Sequence, residues 1–285
     1  MRVGISSQFS RPSIEALFKS GGMEIHNEKN VNLAASPEVE YVFARAQEVP
    51  RHVECGTLDC GLTGRVWTIE GGRQVVSVAE LECAKFNFGK VSWVLAVPDD
   101  SDCRVVGDLA GKVVITEIVR ITKDYFDCCN IPARVEFSWG PVETHQPVLA
   151  DAIVVSADGG VFVYEGRWRV LDTVLESATE LISSRQAWAD MSKRKEIENL
   201  ALILCGKLHA QDRVGLMFTV RNKDLEAALQ VLPPGQKSTI FPLKDEMWVT
   251  VNTVIEDTSA WSIVPKLKAA QAENIVEFPI SKVLL

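Results

Sequence analysis

The feature that most constrains the fold of this sequence is a continuous apolar run, KVSWVLAVP, over Lys90–Pro98. A strand that faces solvent on one side alternates apolar and polar residues, whereas a strand buried on both faces is apolar throughout. The run therefore predicts a strand whose sheet is covered on both faces. Strand-like and helix-like segments alternate on either side of it, which indicates an α/β fold with a mostly parallel sheet.

The segments around this run form two strand–helix units. Strands are predicted at Arg2–Ile5, Val39–Phe43, Val113–Glu117, Ala133–Phe137 and Leu149–Val155, with a short strand and a turn over Leu58–Arg65, and helices at Ser13–Lys19, Arg51–Gly56 and Ile121–Cys129. Leu171–Ser177 and Glu180–Ile182 are predicted to run back toward the first unit. Such a return predicts two lobes with a cleft between them: residues 1–90 completed by 171–192, and residues 91–170.

The last third of the chain, residues 193–285, has a different pattern. It opens on an amphipathic helix, Lys193–His209, with Ile197, Leu200, Ala201 and Leu204 on one face. Strands then follow at Arg213–Val220, Thr239–Phe241, Met247–Ile255 and Asn274–Pro279, with helices at Lys223–Leu232, capped by Asn222, and at Thr258–Ala270. The order β-α-β-β-α-β predicts a ferredoxin-like domain. Such a domain is either a ligand-sensing or oligomerising module or a plain structural domain.

Composition narrows the class of partner. The 285 residues carry a net charge of −8 with a pI near 5.2, and the largest basic cluster is Lys193–Lys195, so nucleic acid is not expected as a partner. No apolar run approaches the roughly 20 residues that cross a bilayer. The first ten residues lack the apolar core of a signal peptide, which predicts the cytoplasm.

The seven cysteines are scattered along the chain. Cys55 and Cys60 have neither a second pair nor a histidine nearby to complete a zinc site. Reduced, buried thiols are the better interpretation.

The stretch Trp139–Val170 has the outline of a phosphate site. A predicted buried strand leads into the turn Ser156–Gly160, whose two glycines let backbone N–H groups face an anion. The turn offers no cation, and Asp158 opposes a phosphate. An ordinary two-glycine turn between strands remains an equal alternative on these residues.

Many segments resemble the ATP phosphoribosyltransferase family, the first enzyme of histidine biosynthesis, in its long form. The matching segments are Arg45–Val53, Leu58–Arg65, Phe88–Lys90, Val94–Pro98, Asp108–Lys112, Thr116–Glu117, Ile121–Phe126, Gly140–Glu143, Leu149–Ile153, Leu175–Ser177, Leu232–Gly235, Thr239, Pro242–Leu243, Leu267–Lys268 and Pro279–Ile280. The resemblance covers nearly the whole chain. It implies two lobes like those of type II periplasmic binding proteins, an ACT-like regulatory domain and a hexameric assembly.

The resemblance also implies a reaction. The family joins N1 of ATP to C1 of phosphoribosyl pyrophosphate and displaces pyrophosphate with Mg²⁺, a step that needs positioning and charge neutralisation more than acid–base help. The family's loop of hydroxyls that holds the 5-phosphate corresponds to Val155–Val163 here. The loop keeps Gly160, whereas Asp158, Gly159, Val161 and Phe162 replace hydroxyl residues, and Val155 and Val66 stand where the family has acidic residues.

The resemblance implies substrate contacts at eight residues, of which Arg65 and Arg120 would clamp phosphates. The full set is Arg11, Arg65, Glu117, Arg120, Glu143, Asp158, Gly159 and Gly160. Glu117 and Glu143 would orient a nucleotide or ribose or reach Mg²⁺, and His145 is the histidine nearest the cleft in sequence. In the C-terminal domain, Thr239 matches a position that the family uses in its site for a histidine effector, and Ser238 before it stands where the family has proline.

Three functions remain open from the sequence. The chain is an ATP phosphoribosyltransferase that acts on ATP and phosphoribosyl pyrophosphate, or a paralogue that binds another small molecule in the same cleft, or a non-catalytic relative that binds a ligand or regulates a partner. In the second case Val155, Val161, Phe162, Trp67 and Trp139 would line a less anionic pocket.

Overall fold

The structure, a computed structural model, describes residues 1–6, 33–36, 39–81, 90–139, 150–157 and 167–284. The strands of these residues are β1 (Arg2–Ser6), β2 (Leu33–Ser36), β3 (Val39–Ala44), β4 (Cys60–Gly64), β5 (Val76–Leu81), β6 (Val91–Pro98), β7 (Val113–Thr116), β8 (Arg134–Phe137), β9 (Ala152–Ser156), β10 (Trp168–Ser177), β11 (Thr179–Ser183), β12 (Arg213–Arg221), β13 (Ser238–Pro242), β14 (Trp248–Glu256) and β15 (Glu273–Pro279). The α-helices of these residues are α1 (Val49–Glu54), α2 (Arg65–Glu70), α3 (Val119–Cys128), α4 (Arg185–Ala189), α5 (Met191–Ala210), α6 (Leu225–Leu229) and α7 (Asp257–Ala269). The predicted helix Ser13–Lys19 lies outside the described residues.

The first sheet has the strand order β2-β3-β1-β4-β11-β5 in the described part of the chain. Strand β1 runs parallel to β3 and to β4. Strand β11 enters from the other lobe and runs antiparallel to both of its neighbours, β4 and β5. The prediction of a mostly parallel sheet is therefore wrong for the β4, β11 and β5 pairs. Strand β11 comes back from the second lobe, so it enters the sheet in the opposite direction.

The second sheet has the order β10-β6-β9-β7-β8 among the described residues. Here β7 runs parallel to β8 and β9, and β6, which enters from the first lobe, runs antiparallel to β9 and β10. Leu171–Ser177 was expected to help complete the first lobe, but it is part of β10 and pairs with β6 in the second sheet. The chain returns to the first lobe only at Ala178, between β10 and β11.

Strand β6 is buried on both faces, as its apolar run predicts. Trp93, Leu95 and Val97 lie in one apolar cluster, whereas Val94 and Ala96 lie in another. Successive side chains of a strand point to opposite faces, so the two clusters cover the two faces of the second sheet. The two-lobed α/β class that the sequence predicts is confirmed.

The C-terminal unit contains a four-stranded sheet in the order β13-β14-β12-β15, in which every neighbouring pair is antiparallel. With α6 between β12 and β13 and α7 between β14 and β15, this is the predicted ferredoxin-like order. Its core joins Phe218 and Val251 of the sheet to Ile263 and Leu267 of α7. The fold prediction for this third of the chain is confirmed.

The helix between β12 and β13 is shorter than predicted. A 3-10 turn covers Asn222–Asp224, and α6 spans only five residues. Asn222 does not cap α6, because it lies in the 3-10 turn and Asp224 takes the N-cap position. Its side-chain Nδ2 donates to the Glu246 carbonyl, 2.6 Å away. The residue that the local pattern assigned as a helix cap, Asn222, thus makes a contact distant in sequence instead.

The chain divides into compact units within helix α5, between Ala201 and Leu202. The predicted start of the C-terminal domain, residue 193, lies in the same helix. Ile197, Leu200, Ala201 and Leu204 are buried, which confirms the predicted apolar face of this helix. Among the described residues no helix is long and apolar enough to span a membrane.

Helix α5 is tied to the first lobe by a charge pair. Lys193 Nζ donates to Asp59 Oδ1 at 2.7 Å, and the Arg2 backbone N–H donates to Asp59 Oδ2 at 2.7 Å. Burial would raise the pKa of the Asp59 carboxyl, but the hydrogen bonds from Lys193 and Arg2 outweigh burial and hold that pKa below its ordinary value. A lowered pKa stabilises the folded state above the pKa of the unfolded chain, and this stabilisation disappears as the pH falls through the folded pKa.

We therefore expect Asp59→Asn to lower the free energy of unfolding by about 1.5–3 kcal/mol at pH 7, the cost of losing hydrogen bonds to a charged group. The difference from wild type should shrink as the pH falls below about 4, near the pKa of an unfolded aspartate. Urea unfolding at pH 7 and 5, and again at about pH 3, below the pKa of an unfolded aspartate, measures it. Glu198→Gln, which breaks the exposed pair with Arg194, serves as the control, with an expected loss of about 0.3–0.5 kcal/mol. A pH-independent difference for Asp59→Asn would contradict the account.

Candidate active site

In the sheet of each lobe, three parallel strands have their carboxyl ends on the same side. We call that side the carboxyl edge of the sheet. In the first sheet, β1, β3 and β4 end at Ser6, Ala44 and Gly64. In the second sheet, β7, β8 and β9 end at Thr116, Phe137 and Ser156. In open α/β sheets, ligands bind in the crevice outside the carboxyl ends of the strands, so these edges are where a site is expected.

The return crossing at Ala178 brings the two edges to the same place. Thr179, which begins β11, is paired with Gly64 at the carboxyl end of β4. Ser177, which ends β10, is paired with Val91 at the start of β6, and Trp93 two residues later is paired with Ser156 at the end of β9. The carboxyl edges of both sheets therefore meet at the crossing, and the predicted cleft opens there.

Helix α2 joins the lobes at this crossing. Its first two backbone N–H groups donate across it, from Arg65 to the Ala178 carbonyl and from Val66 to Ser177 Oγ, both at 2.9 Å. Trp67 of α2 packs edge-on against Trp93 of β6, with ring centroids 5.7 Å apart. Val66 and Trp67 thus belong to the apolar core of the second sheet, although α2 follows directly on a strand of the first.

A carboxylate at the other end of α2 caps a helix of the second lobe. The Arg120 and Ile121 backbone N–H groups, in the first turn of α3, donate to Glu70 Oε1 and Oε2 at 3.0 Å each. A carboxylate at a helix N-terminus satisfies free donors and opposes the positive end of the helix dipole. We call this contact the Glu70 latch. The sequence analysis missed it, because its partners are about fifty residues apart.

Arg120 itself lies over the turn that follows α2. A Cβ added to Gly72 would stand 2.0 Å from Arg120 Nη1, at the end of a flexible side chain that could move aside, whereas the φ of +59° at Gly72 is a backbone conformation that favours glycine. The guanidinium is also 4.0 Å from Asp124. Arg65 and Arg120 therefore flank α2, whose six residues span roughly 9 Å.

Three of the eight predicted substrate residues lie within the described ranges. Arg65 is exposed at the start of α2, Arg120 is exposed in the first turn of α3, and Glu117 is half-buried directly after β7. The other five, Arg11, Glu143, Asp158, Gly159 and Gly160, lie outside the described residues, as do His145, Val161 and Phe162.

Two replacements of family carboxylates fall at packed positions. Val66 is 3% exposed and belongs to the core between α2 and the second sheet. Val155 is 8% exposed and packs with Trp168 on the opposite face of that sheet. Trp67 is likewise buried, so the idea that Val155 and Trp67 line an apolar pocket is wrong for both side chains. A charge at either position would be costly here, since an unpaired ion is destabilising in a core.

Glu180 of β11 is a buried carboxylate that the sequence analysis did not single out. It accepts hydrogen bonds from Thr68 Oγ1 at 3.0 Å and Ser77 Oγ at 2.8 Å. Buried polar groups are normally satisfied in this way. Because Thr68 belongs to α2, the bond holds the middle of α2 against the first sheet.

The predicted effector residues lie on strand β13, at one edge of the C-terminal sheet. Ser238 is paired with Thr253, and Thr239 with Asn252. Ser238 Oγ is buried and has no hydrogen-bond partner within the described ranges, whereas Thr239 is exposed. A buried hydroxyl without a partner is the kind of group that a ligand can satisfy.

The thiols and carboxylates give no preformed metal cage in the described part of the chain, where no three His, Cys, Asp or Glu side chains cluster. The described cysteines are free. Cys60 and Cys103 are buried as expected, but Cys55, Cys128 and Cys129 are exposed, so the expectation of buried thiols is wrong for these three. Cys55 donates to the Arg51 carbonyl of its own helix.

The architecture defines the class of protein: two α/β lobes joined at a crossing, where the carboxyl edges of their sheets meet, and a separate ferredoxin-like unit. A family model described as ATP phosphoribosyltransferase matches residues 45–206, and a model described as HisG, C-terminal domain, matches residues 210–282. The chain belongs to the ATP phosphoribosyltransferase family, in its long form.

Individual relatives agree with this assignment. An ATP phosphoribosyltransferase of Koribacter versatilis is 46% identical, over 100% of this chain and 99% of the relative. One of Solibacter usitatus is 42% identical over the same shares of the two chains. Among solved structures, the ATP phosphoribosyl transferase (HisG:HisZ) complex from Thermotoga maritima matches with a TM-score of 0.61 and 18% identity, over 72% of this chain and 98% of that chain. That last likeness supports the fold alone.

Proposed function

We propose that this chain joins N1 of ATP to C1 of phosphoribosyl pyrophosphate. The observation that carries the proposal is the meeting of two carboxyl edges at Ala178, with Arg65 at the start of α2 and Glu117 directly after β7, in a chain of this family. In the reaction the N1 lone pair forms the new bond to C1, and the C1–O bond breaks with its electron pair leaving on pyrophosphate. The neutral N1 carries no proton to remove.

Such a reaction needs its two substrates aligned and its leaving group neutralised. Substrates held by different lobes would meet at the crossing, because both carboxyl edges lie there. Arg65, exposed at the start of α2, is suited to bind a phosphate of phosphoribosyl pyrophosphate, because a guanidinium binds phosphate oxygens in bidentate fashion. Glu117, directly after β7, is suited to orient a ribose hydroxyl.

The remaining predicted contacts complete this proposal. Arg120 would add positive charge from the second lobe while its backbone stays in the Glu70 latch. Glu143, Arg11 and the backbone of Asp158, Gly159 and Gly160 are proposed to hold the ribose and the 5-phosphate. In this chain the 5-phosphate is then bound by backbone N–H groups and arginine more than by hydroxyls.

Mg²⁺ is proposed as the cofactor. This ion usually keeps several waters and binds one or two carboxylates together with substrate phosphates, so a single carboxylate such as Glu117 beside a pyrophosphate fits its chemistry. When bound, it would neutralise part of the pyrophosphate charge. The protein side chains would position that metal–pyrophosphate complex and exclude water from C1.

We further propose a homo-oligomer, a hexamer as in the long form of the family, acting in the cytoplasm. Histidine is the proposed effector, and it would bind beside Ser238 and Thr239. The unpartnered, buried Ser238 Oγ supports this placement, since a bound amino acid would give that hydroxyl its missing hydrogen bond.

Calorimetric titration with phosphoribosyl pyrophosphate and Mg²⁺ tests the site. We expect micromolar binding to the wild type and about 10- to 150-fold weaker binding to Arg65→Ala, the loss expected for one charge-assisted phosphate contact. Arg185→Ala is the matched control. Arg185 is also exposed at the start of a short helix, but that helix follows the end of β11 at Ser183, which pairs with the start of β4 on the opposite edge of the sheet. Equal affinities for both variants would contradict the placement.

A further inference from the structure

Two aromatic side chains stand exposed where strand β8 ends. Phe137 is the last residue of β8 and is half exposed, and Trp139, two residues later, is 78% exposed. Their rings meet edge to face, with centroids 4.7 Å apart and planes at 90°. In this geometry Phe137 supports the indole, since T-shaped contacts are a favoured aromatic arrangement, and most of the indole surface stays accessible to a ligand.

The backbone fixes this pair at the carboxyl edge of the second sheet. Phe137 is paired with Thr116, the last residue of β7. The Ser138 backbone N–H then donates to the Thr116 carbonyl at 3.0 Å, which extends the pairing by one residue. Trp139 therefore follows the end of β8 just as Glu117 follows the end of β7, and both lie at the carboxyl edge of the second sheet.

We propose that Phe137 and Trp139 form the stacking platform for the purine base of ATP. The inference rests on the proposed function, in which N1 of the base is the nucleophile. N1 lies in the plane of the ring, so a site that held the base by hydrogen bonds along its N1 edge would occupy the reacting lone pair. Stacking holds the base by its face and leaves N1 free.

The energetics of stacking suit this role. Base–aromatic stacking contributes enough to change affinity by about 5- to 150-fold per base, and indole offers the largest face among protein side chains. The charged groups at the same edge, Glu117 and Arg120, lie where they can contact the ribose and phosphates instead. The platform would thus select for a flat aromatic base, while neighbouring groups would position the rest of the nucleotide.

The test is ATP binding without phosphoribosyl pyrophosphate, measured by calorimetry and by tryptophan fluorescence. We expect Trp139→Ala to bind ATP about 5- to 150-fold more weakly than wild type, and Trp139→Phe to fall between the two because it keeps an aromatic face. ATP should quench part of the wild-type fluorescence, and this quenching should disappear in Trp139→Phe. Trp139 is largely exposed, so both variants should keep the wild-type circular dichroism.

Trp261→Phe is the matched control, because Trp261 is 90% exposed on α7 of the C-terminal unit. It should keep both the affinity for ATP and the quenching. If Trp139→Ala binds ATP as tightly as wild type while the wild type forms product, the stacking platform is wrong and the proposed reaction stands. ATP binding that depends on Trp139, in a chain that forms no product, supports the platform and contradicts the reaction. A wild type that does not bind ATP overturns both.

Discussion

Trp67→Ala should lower the free energy of unfolding by about 3–5 kcal/mol, the usual cost of deleting a large aromatic side chain from a core. Trp67 is almost completely buried and packs edge-on against Trp93. It also belongs to the apolar cluster that covers one face of the second sheet. The cavity would therefore open between the lobes, in the contact through which α2 of the first lobe completes the core of the second.

Urea unfolding followed by circular dichroism measures this loss. Trp261→Ala removes the same side chain from an exposed position and should change the free energy of unfolding by no more than about 0.5 kcal/mol. A double-mutant cycle with Trp93→Ala should show a coupling of about 0.5–1.5 kcal/mol, the range for aromatic pairs. A loss below 1 kcal/mol for Trp67→Ala would contradict the shared core.

Glu70→Ala should affect both stability and activity. It removes the acceptor of two backbone N–H groups at the start of α3, which should lower the free energy of unfolding by about 1.5–3 kcal/mol. The Glu70 latch also fixes α3, and with it Arg120 and the end of β7, relative to α2 and Arg65. Losing this alignment should lower kcat/KM for phosphoribosyl pyrophosphate about tenfold, which corresponds to roughly 1.4 kcal/mol of transition-state stabilisation.

The matched control is Glu54→Ala. Glu54 also accepts two hydrogen bonds, from the Gln74 backbone N–H at 2.8 Å and from Arg73 at 3.1 Å, but all of these residues belong to the first lobe. Its loss should destabilise the chain without changing kcat/KM. Glu70→Gln, which keeps one carbonyl acceptor, should lie between wild type and Glu70→Ala. If the Glu54 and Glu70 variants changed kcat/KM alike, the latch would have no separate role in alignment.

Much of the fold could be predicted because its signals are local. The apolar run of β6 and the periodic face of α5 each lie within one segment, and the structure confirms both. The β-α-β-β-α-β order of the C-terminal unit was visible for the same reason. Local patterns are informative where a single element buries its own side chains.

The site was less predictable because distant residues build it. The segment at Arg65 was interpreted as a turn, yet it begins helix α2, and Gly64 offers no side chain to cap that helix. The free N–H groups of α2 are satisfied by Ser177 and Ala178, more than a hundred residues away. The return of the chain to the first lobe was predicted, but the Glu70 latch and the antiparallel pairing of β11 depend on contacts between segments distant in sequence.

The changes at Val66 and Val155 illustrate the same limit. In the sequence, both valines stand where the family has acidic residues. In the structure both side chains lie in cores on either face of the second sheet. Their apolar character is explained by packing, so neither valine is evidence that the cleft has changed its substrate.

The most direct test of the account is to incubate the purified chain with ATP, phosphoribosyl pyrophosphate and Mg²⁺, and to quantify pyrophosphate and the N1-phosphoribosyl nucleotide together. The account predicts that both products appear in equal amounts and that both fall in Arg65→Ala but not in Arg185→Ala. Folded wild-type protein that forms neither product at millimolar substrates, or that releases pyrophosphate without the N1-linked nucleotide, would contradict it.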